Sequence, residues 1–259
     1  MLASIFESHA HYDDDAFDID RTSLLNTFIE NRIGNVINVG SSIESTKKTV
    51  KLMEEFPFIY GAVGVHPSET AKMTHAVIRW LEELCKLDKT VAVGEIGLDY
   101  HWQEPDPAIQ KHWFCEQLSL AERTSLPVII HSRDAAKDTL DIMKAEHAEN
   151  LPGVIHCFSY SKEIAREYLN MNYYFGIGGV ITFANARKLK EVVSYLPMEH
   201  ILLETDSPYL TPVPNRGKRN TSLNLPVIAQ EIANLKHMDV EDVIAVTEQN
   251  AKSLFQKVR

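Results

Sequence analysis

The sequence predicts an α/β protein whose parallel strands and surrounding helices form a (β/α)8 TIM barrel. Short apolar runs rich in β-branched residues alternate with longer amphipathic stretches along the chain. The short runs are apolar throughout, as expected when both faces of a parallel sheet are covered. A chain of 259 residues has the usual length of one such barrel, so we predict a single domain over residues 1–259.

Each predicted strand is an apolar run that gives way to polar residues. The strands cover residues 2–8, 35–40, 59–65, 90–95, 127–131, 153–157, 173–177 and 200–206. The stretches between them carry apolar residues three and four positions apart, which is the helical spacing. The predicted helices cover residues 21–31, 45–55, 76–86, 108–123, 135–146, 162–169 and 186–195, followed by a closing pair at 225–235 and 240–257. Asp239 is a suitable N-cap for the last helix.

An open, doubly wound sheet is the alternative architecture. It would need a phosphate-binding fingerprint or a cleft where the strand order reverses. The glycine-rich segment 176–179 lacks the G-x-G-x-x-G spacing. A closed barrel also explains why polar residues follow the strands, because parallel strand ends converge on one mouth. The long irregular segment 207–224 is of a length that usually serves function.

Composition argues against several classes of protein. The net charge of −10 disfavours broad electrostatic binding to DNA or anionic membranes, so a nucleic-acid substrate would need a local site. No stretch approaches 18 apolar residues and no secretory pattern opens the chain, so we expect a cytoplasmic protein without membrane contact. Cys85, Cys115 and Cys157 are widely spaced, which favours a reducing compartment.

Histidines and carboxylates occur where the predicted strands end. The first two, His9 and His11, lie two positions apart, a spacing that points both side chains to one side of a strand. Taken singly, each has an ordinary explanation, such as a solvent-facing loop histidine or a salt-bridged glutamate. Converging at one barrel mouth, they form a ligand set typical of catalytic divalent cations. The set is His9, His11, Glu95, His131, His156 and Asp206.

Two of these residues are the predicted catalytic groups. Glu95 has two carboxylate oxygens and can bridge two cations. Asp206 lies closest to the mouth, so we assign it as ligand and general base, whereas Glu204 lies deeper on the same face and is expected to pair internally. Cys157 follows His156, and because adjacent residues on a strand point in opposite directions, we interpret it as a packed thiol.

Several basic residues are candidates for binding an anionic substrate. His66 and Arg133 each follow a strand, and the planar guanidinium of arginine suits phosphate or carboxylate. Arg216, Lys218 and Arg219 form the densest basic segment and follow the last strand, so we expect them over the mouth. The ordinary explanations are a rim hydrogen bond, a surface ion pair and a solvated charge run.

Together these motifs resemble the TatD family of metal-dependent deoxyribonucleases, within the amidohydrolase-like barrels. The matching segments are 8–11, 63–67, 94–100, 126–135, 156–159 and 203–210, with 216–220 matching the basic loop of the family. The resemblance implies two divalent cations bridged by Glu95, where many relatives in the wider superfamily use a modified lysine. One cation would be held by His9, His11, Glu95 and Asp206, and the other by Glu95, His131 and His156.

Two departures from the family pattern affect the expected substrate more than the metals. The family usually has Asp at the position of Glu7, a residue that supports the first strand end. The basic loop usually continues with an acidic or amide residue and a proline, where this chain has Thr221 and Ser222.

The resemblance implies a two-metal phosphodiesterase, a 3′–5′ exonuclease that acts on DNA ends or another phosphodiester. The ligand set accepts Zn²⁺, Mn²⁺, Mg²⁺ or Ni²⁺ alike. We expect a monomer. The alternatives are a metal-dependent amide, lactone or carboxylic ester hydrolase on the same barrel, and a non-catalytic metal-binding interaction protein.

Overall fold

Eight parallel strands form the barrel, and each pairs with the next in chain order. The computed structural model describes residues 3–102 and 104–258, so Leu2, the first residue of predicted strand 2–8, lies outside them. A parallel bridge between Ala10 and Ser207 joins the last strand end to the first, which confirms the barrel prediction. The strands are β1 Ile5–Ala10, β2 Ile33–Val39, β3 Ile59–Val63, β4 Thr90–Asp99, β5 Val128–Arg133, β6 Gly153–Ile155, β7 Tyr174–Ile177 and β8 Ile201–Leu203.

Helices alternate with the strands and lie outside them. They are α1 Arg21–Asn26, α2 Ile43–Glu55, α3 His75–Leu84, α4 Pro107–Thr124, α5 Ala136–Ala145, α6 Lys162–Asn170, α7 Arg187–Tyr195, α8 Leu225–Lys236 and α9 Val240–Leu254. The Asp239 side chain accepts a hydrogen bond from the backbone N–H of Glu241, which confirms the predicted N-cap of α9. None of the helices in the described parts of the chain is long and apolar enough to cross a membrane.

The core has two layers, because neighbouring residues of a strand face opposite sides of the sheet. Inward-facing residues such as Ile37, Tyr60 and Leu202 form one buried cluster, which Phe255 joins from the end of α9. The Phe255 ring stacks 6.2 Å from that of Phe6 on β1. The outward-facing residues form a larger cluster with the helices. Neither buried layer extends to the carboxyl ends of the strands, where polar side chains line the mouth of the barrel.

Strand β4 extends beyond its predicted end. It was expected to end at Glu95 but continues to Asp99, so Glu95 lies inside the strand. The pairing with β5 shifts register between Val93 and Ile96, and this irregularity turns the Glu95 side chain into the barrel mouth. Gly97 has φ +143°, and a Cβ there would lie 1.9 Å from the carbonyl oxygen of His131. Only glycine therefore lets β4 continue beside β5 at this point.

Candidate metal centre

The first half of the site combines the end of β1 with the residue three positions beyond β8. The Nε2 atoms of His9 and His11 lie 3.2 Å apart, as their spacing predicts. Both face Oε2 of Glu95, at 3.5 and 3.8 Å, and Oδ1 of Asp206, at 3.8 and 3.4 Å. Asp206 has φ +56°, a left-handed conformation that non-glycine residues adopt mainly where surrounding structure enforces it.

The second half lies on the other side of the same carboxylate. Oε1 of Glu95 lies 2.7 Å from Nδ1 of His131 and 2.9 Å from Nε2 of His156. The two ring nitrogens are 3.3 Å apart. Glu95 thus directs one oxygen at each histidine pair, although it is buried and lies within β4.

The first half has the dimensions of a divalent cation site. Four ligands arranged tetrahedrally at about 2 Å from a cation lie roughly 3.3 Å from one another. The five separations among His9, His11, Glu95 and Asp206 given above run from 3.2 to 3.8 Å. In the second half three such atoms converge. Imidazole nitrogen and carboxylate oxygen are also the donor atoms that such ions prefer, so the residues fit the group.

Hydrogen-bond partners behind the rings fix the orientation of two of the four histidines. Nδ1 of His11 lies 2.8 Å from the carbonyl oxygen of Val39. Nε2 of His131 lies 3.1 Å from Oδ2 of Asp99, a carboxylate that sequence reasoning did not select. Nδ1 of His9 has no hydrogen-bond partner among the residues that the structure describes.

Glu204 lies behind the fourth histidine, as the prediction of an internal pairing requires. Its Oε1 accepts a hydrogen bond from the backbone N–H of Cys157 and lies 3.5 Å from Nδ1 of His156, which is an electrostatic contact more than a hydrogen bond. A Cβ on Gly176 would lie 1.9 Å from Oε2 of Glu204, so this glycine provides the space for the carboxylate.

The interpretation of Cys157 as a packed thiol was wrong. Strand β6 ends at Ile155, and Cys157 has φ +46°, so the alternation of a strand no longer applies. His156 and Cys157 therefore both line the cavity above the site. Burial raises the pKa of the thiol well above its usual range, and the neighbouring carboxylate of Asp206 adds to the shift.

Glu7 ties the first strand to the last. Its Oε1 accepts hydrogen bonds from the backbone N–H groups of His9 and Thr205, at 3.2 and 2.9 Å. Its Oε2 contacts the hydroxyls of Thr205 and Ser222, at 2.7 and 2.8 Å. Burial raises the pKa of Glu7 to about 8 despite these bonds. The residue supports the end of β1, as its position implied.

The two halves of the site interact electrostatically through Glu95. Burial by itself would raise the pKa of Glu95, but the charge of His156 and the other surrounding rings hold it well below its usual range. Burial likewise opposes protonation of His131, yet its bonds to Asp99 and Glu95 raise its pKa. Glu95 therefore presents an ionised carboxylate to both halves.

His66 faces the same site with its proton position fixed. Its Nδ1 accepts a hydrogen bond from the backbone N–H of Ser68, so Nε2 carries the proton. Burial, and then the charge of His131, lower the pKa of His66 to about 3, which keeps the ring neutral. His66, Asp99 and His131 also lie close enough to form a third metal-type group. Because Nε2 bears hydrogen, we assign His66 as a hydrogen-bond donor.

A cavity of about 710 Å³ opens above the metal-type ligands at the carboxyl ends of the strands. His66 and Arg133 belong to its wall, and Arg133 is exposed there. A larger groove of about 860 Å³ runs along α6 and α7 on the outer surface. It lies away from the histidine cluster, so the smaller cavity is the candidate active site.

The basic loop does not take the position expected from its place in the sequence. Arg219 donates to both carboxylate oxygens of Asp20, each at 2.7 Å, and lies over the ring of Phe17. Arg216 lies over the ring of Phe183. Among the described residues that line the cavity, neither of them appears, and Lys218 is also absent. Substrate binding by this loop stays a prediction.

The fold and the site together define a metal-dependent hydrolase of the barrel type. The chain belongs to the TatD family: the family model described as TatD related DNase matches residues 6–256. It is 42% identical over 252 residues to the uncharacterized metal-dependent hydrolase YabD of Bacillus subtilis, covering 97% of this chain and 99% of that one.

Two further relatives support the same assignment. The uncharacterized metal-dependent hydrolase TatD of Mycobacterium tuberculosis is 34% identical over 256 residues, covering 96% of this chain and 97% of that one. The crystal structure of YjjV, a TatD homologue from Escherichia coli K12, matches with a TM-score of 0.93 and 29% identity, covering 99% of each chain.

Proposed function

We propose that this hydrolase is a two-metal phosphodiesterase that removes nucleotides from DNA ends in the 3′–5′ direction. The observation that carries the proposal is the division of the Glu95 carboxylate, with Oε2 towards the His9 and His11 pair and Oε1 towards the His131 and His156 pair. Two cation sites sharing one carboxylate are the arrangement that in-line displacement at phosphorus uses. The family model adds support, because its description names a DNase.

Asp206 would act as the general base. Its Oδ1 is directed at the histidine pair of the first half, and the residue also lines the cavity. It could therefore contact both a bound cation and a water molecule. Bound divalent cations supply an acidified water and a clamp for phosphoryl oxygens. Asp206 would accept the proton of the attacking water, and this proton would then pass to the 3′ oxygen as its bond to phosphorus breaks.

His66 and Arg133 would bind the phosphate. The Nε2–H of His66 lies 3.9 Å from Oε1 of Glu95, so a phosphoryl oxygen above that carboxylate would be within its reach. Arg133 offers five N–H donors at the cavity wall, in a fork that matches two phosphate oxygens. The basic residues Arg216, Lys218 and Arg219 would contact the strand farther from the reacting phosphate.

Metal-dependent digestion of DNA with defined ends tests the proposal. We expect 5′-labelled single- and double-stranded oligonucleotides to give a ladder that shortens from the 3′ end in the presence of Mn²⁺, Mg²⁺ or Zn²⁺. A chelator should abolish the ladder. A panel of lactones, amides and carboxylic esters is assayed beside the DNA. Hydrolysis of one of these with no cleavage of DNA would overturn the proposal. Two metal ions per chain with no hydrolysis at all would indicate a binding protein.

A matched pair of arginine variants tests the phosphate contact. Arg133→Ala should lower kcat/KM on DNA by about tenfold, the usual cost of losing a charged hydrogen-bond donor. Arg79, exposed on α3, offers the control. Arg79→Ala removes the same charge from the molecule and should leave kcat/KM unchanged. Equal losses of kcat/KM in the two variants would mean that the effect comes from the overall charge of the protein and not from a phosphate contact of Arg133.

A further inference from the structure

Two apolar walls line the cavity on opposite sides of the barrel mouth. Trp102 follows β4, and Tyr209 and Leu210 follow β8. These two strands are four places apart in a closed ring of eight, so they lie on opposite sides of the barrel. Trp102 is 56% exposed and Tyr209 54%, although large apolar side chains are usually buried. The metal-type ligands lie between and beneath them.

The second wall, which consists of Tyr209 and Leu210, is held in place although it is exposed. The hydroxyl of Tyr209 donates a hydrogen bond to Oδ2 of Asp14 at 2.9 Å, and its carbonyl oxygen accepts one from Asn220. Leu210 has φ +54°, a conformation that costs energy for a branched residue. A Cβ on Gly179 would lie 2.2 Å from the carbonyl oxygen of Leu210, so a glycine is needed beneath the loop. Strain and exposure together point to a ligand.

The chemistry of the floor restricts what this ligand is. A phosphate held by His66 and Arg133 brings its attached nucleoside up between the walls. The cavity volume of about 710 Å³ falls within the range of roughly 300–1,000 Å³ that holds small ligands. Purines and pyrimidines stack on indole and phenol rings through their faces, whatever their sequence.

We propose that Trp102 and Tyr209 form a subsite for the unpaired base of the nucleotide next to the reacting phosphate. This inference rests on the proposed phosphodiesterase function and adds a group that the function alone does not specify. A base stacked on either ring has one face covered by the protein, so that face cannot stack within a duplex at the same time. The subsite selects for a nucleobase and against phosphodiesters that lack one.

Abasic substrates separate base recognition from phosphate recognition. Two single-stranded oligonucleotides are compared, one natural and one with abasic residues at its two 3′-terminal positions. In the wild type, kcat/KM should be higher for the natural end. Trp102→Ala should reduce the natural-to-abasic ratio of kcat/KM by about tenfold, the range for loss of one base-stacking aromatic. Trp102→Phe should restore most of the ratio.

The control is Tyr195→Ala, which removes an aromatic that is 41% exposed on α7, away from the cavity. It should leave the ratio as in the wild type. A Trp102→Ala ratio equal to the wild-type ratio, with DNA still cleaved, would overturn the base subsite and leave the phosphodiesterase function standing.

Fluorescence decides the question even without catalysis. Stacking of thymidine 5′-monophosphate on Trp102 should quench tryptophan emission in the wild-type protein and much less in Trp102→Phe. If the wild type cleaves no DNA, the proposed function fails, and quenching still reports on the subsite. Equal quenching in both proteins would overturn it.

Discussion

The two halves of the metal centre share Glu95 but orient their histidines by different means. In the first half, Nδ1 of His11 contacts a backbone carbonyl, and Nδ1 of His9 has no partner within the described residues. In the second half, both rings have a carboxylate behind them, Asp99 for His131 and Glu204 for His156. The orientation of the histidines therefore depends on backbone geometry in the first half and on the charge of nearby carboxylates in the second half.

This difference predicts how each half responds to substitution. A carboxylate behind a ligating histidine fixes the ring and makes it a stronger donor to the cation. Removing that charge should weaken one half while the shape of the barrel persists. Among the described residues, the rings of the first half have no comparable carboxylate behind them, and Asp206 is itself one of the groups that would hold the cation. The first half should respond to changes in the ligands and in the backbone that carries them.

Glu95→Gln is the largest expected perturbation, because it affects both halves at once. The amide loses the charge and offers a donor where one histidine pair needs an acceptor. We expect hydrolysis to fall by at least about 10³-fold, as for other residues that act as a unit with their partners. Metal content by mass spectrometry should fall in parallel. A variant that keeps two cations and full activity would refute the bridging role.

Asp206→Asn should affect only the first half and the proton transfer. Removing a general base typically costs about 10²–10⁴-fold in rate, so we expect a loss of that order at saturating substrate. The second half does not contain Asp206, and one cation per chain should remain tightly bound. If both cations were lost together, the two halves would form one cooperative site. That result would contradict the claim that the halves respond independently.

The sequence predicted that His9, His11, Glu95, His131, His156 and Asp206 would lie together, because each is a polar residue at the end of an apolar run, and their role as metal ligands stays a prediction. It also predicted that Glu204 would pair internally. Sequence reasoning missed Asp99, since a strand assumed to end at Glu95 leaves Asp99 in a loop. The signal was present in Gly94 and Gly97, because paired glycines inside a strand pattern indicate a bulge.

The basic loop shows what sequence order cannot predict. Its place directly after β8 suggested a position over the mouth, but loop direction is set by distant partners. Arg219 pairs with Asp20, 199 positions away in the chain. Nothing local to the segment around Arg216 and Lys218 identifies that partner. The walls formed by Trp102 and Tyr209 were missed for a similar reason, because their opposition depends on barrel closure.

Asp99→Asn tests the role of charge in the second half. Loss of an outer carboxylate typically weakens metal binding by about 10–100-fold, and we expect that change at one of two sites in a competition with a chelating dye. The first site should keep its affinity. Asp141→Asn is the control, because Asp141 is an exposed carboxylate on α5 that pairs with Lys137. Equal weakening at both sites would mean that Asp99 acts on the whole barrel mouth.

Glu7→Gln is the mildest change and tests how the first half is anchored. Burial raises the pKa of Glu7 from 4.5 to about 8, so the folded protein keeps a proton that the unfolded chain releases. Between these pH values the unfolded state binds fewer protons, and wild-type stability should decrease as pH rises. Glutamine binds no proton, so the stability of the wild type relative to Glu7→Gln should fall between pH 5 and 8.

Urea unfolding with a chelator present measures this difference without a contribution from metal. Glu7→Ala is the companion variant, because it removes the contacts to Thr205 and Ser222 altogether. It should lower the free energy of unfolding by about 1–3 kcal/mol, the cost of leaving buried donors unpaired. A wild type that gains stability over Glu7→Gln as pH rises would mean that Glu7 is ionised. The first half would then also depend on a buried charge. The two halves would differ only in the position of that charge relative to the histidines.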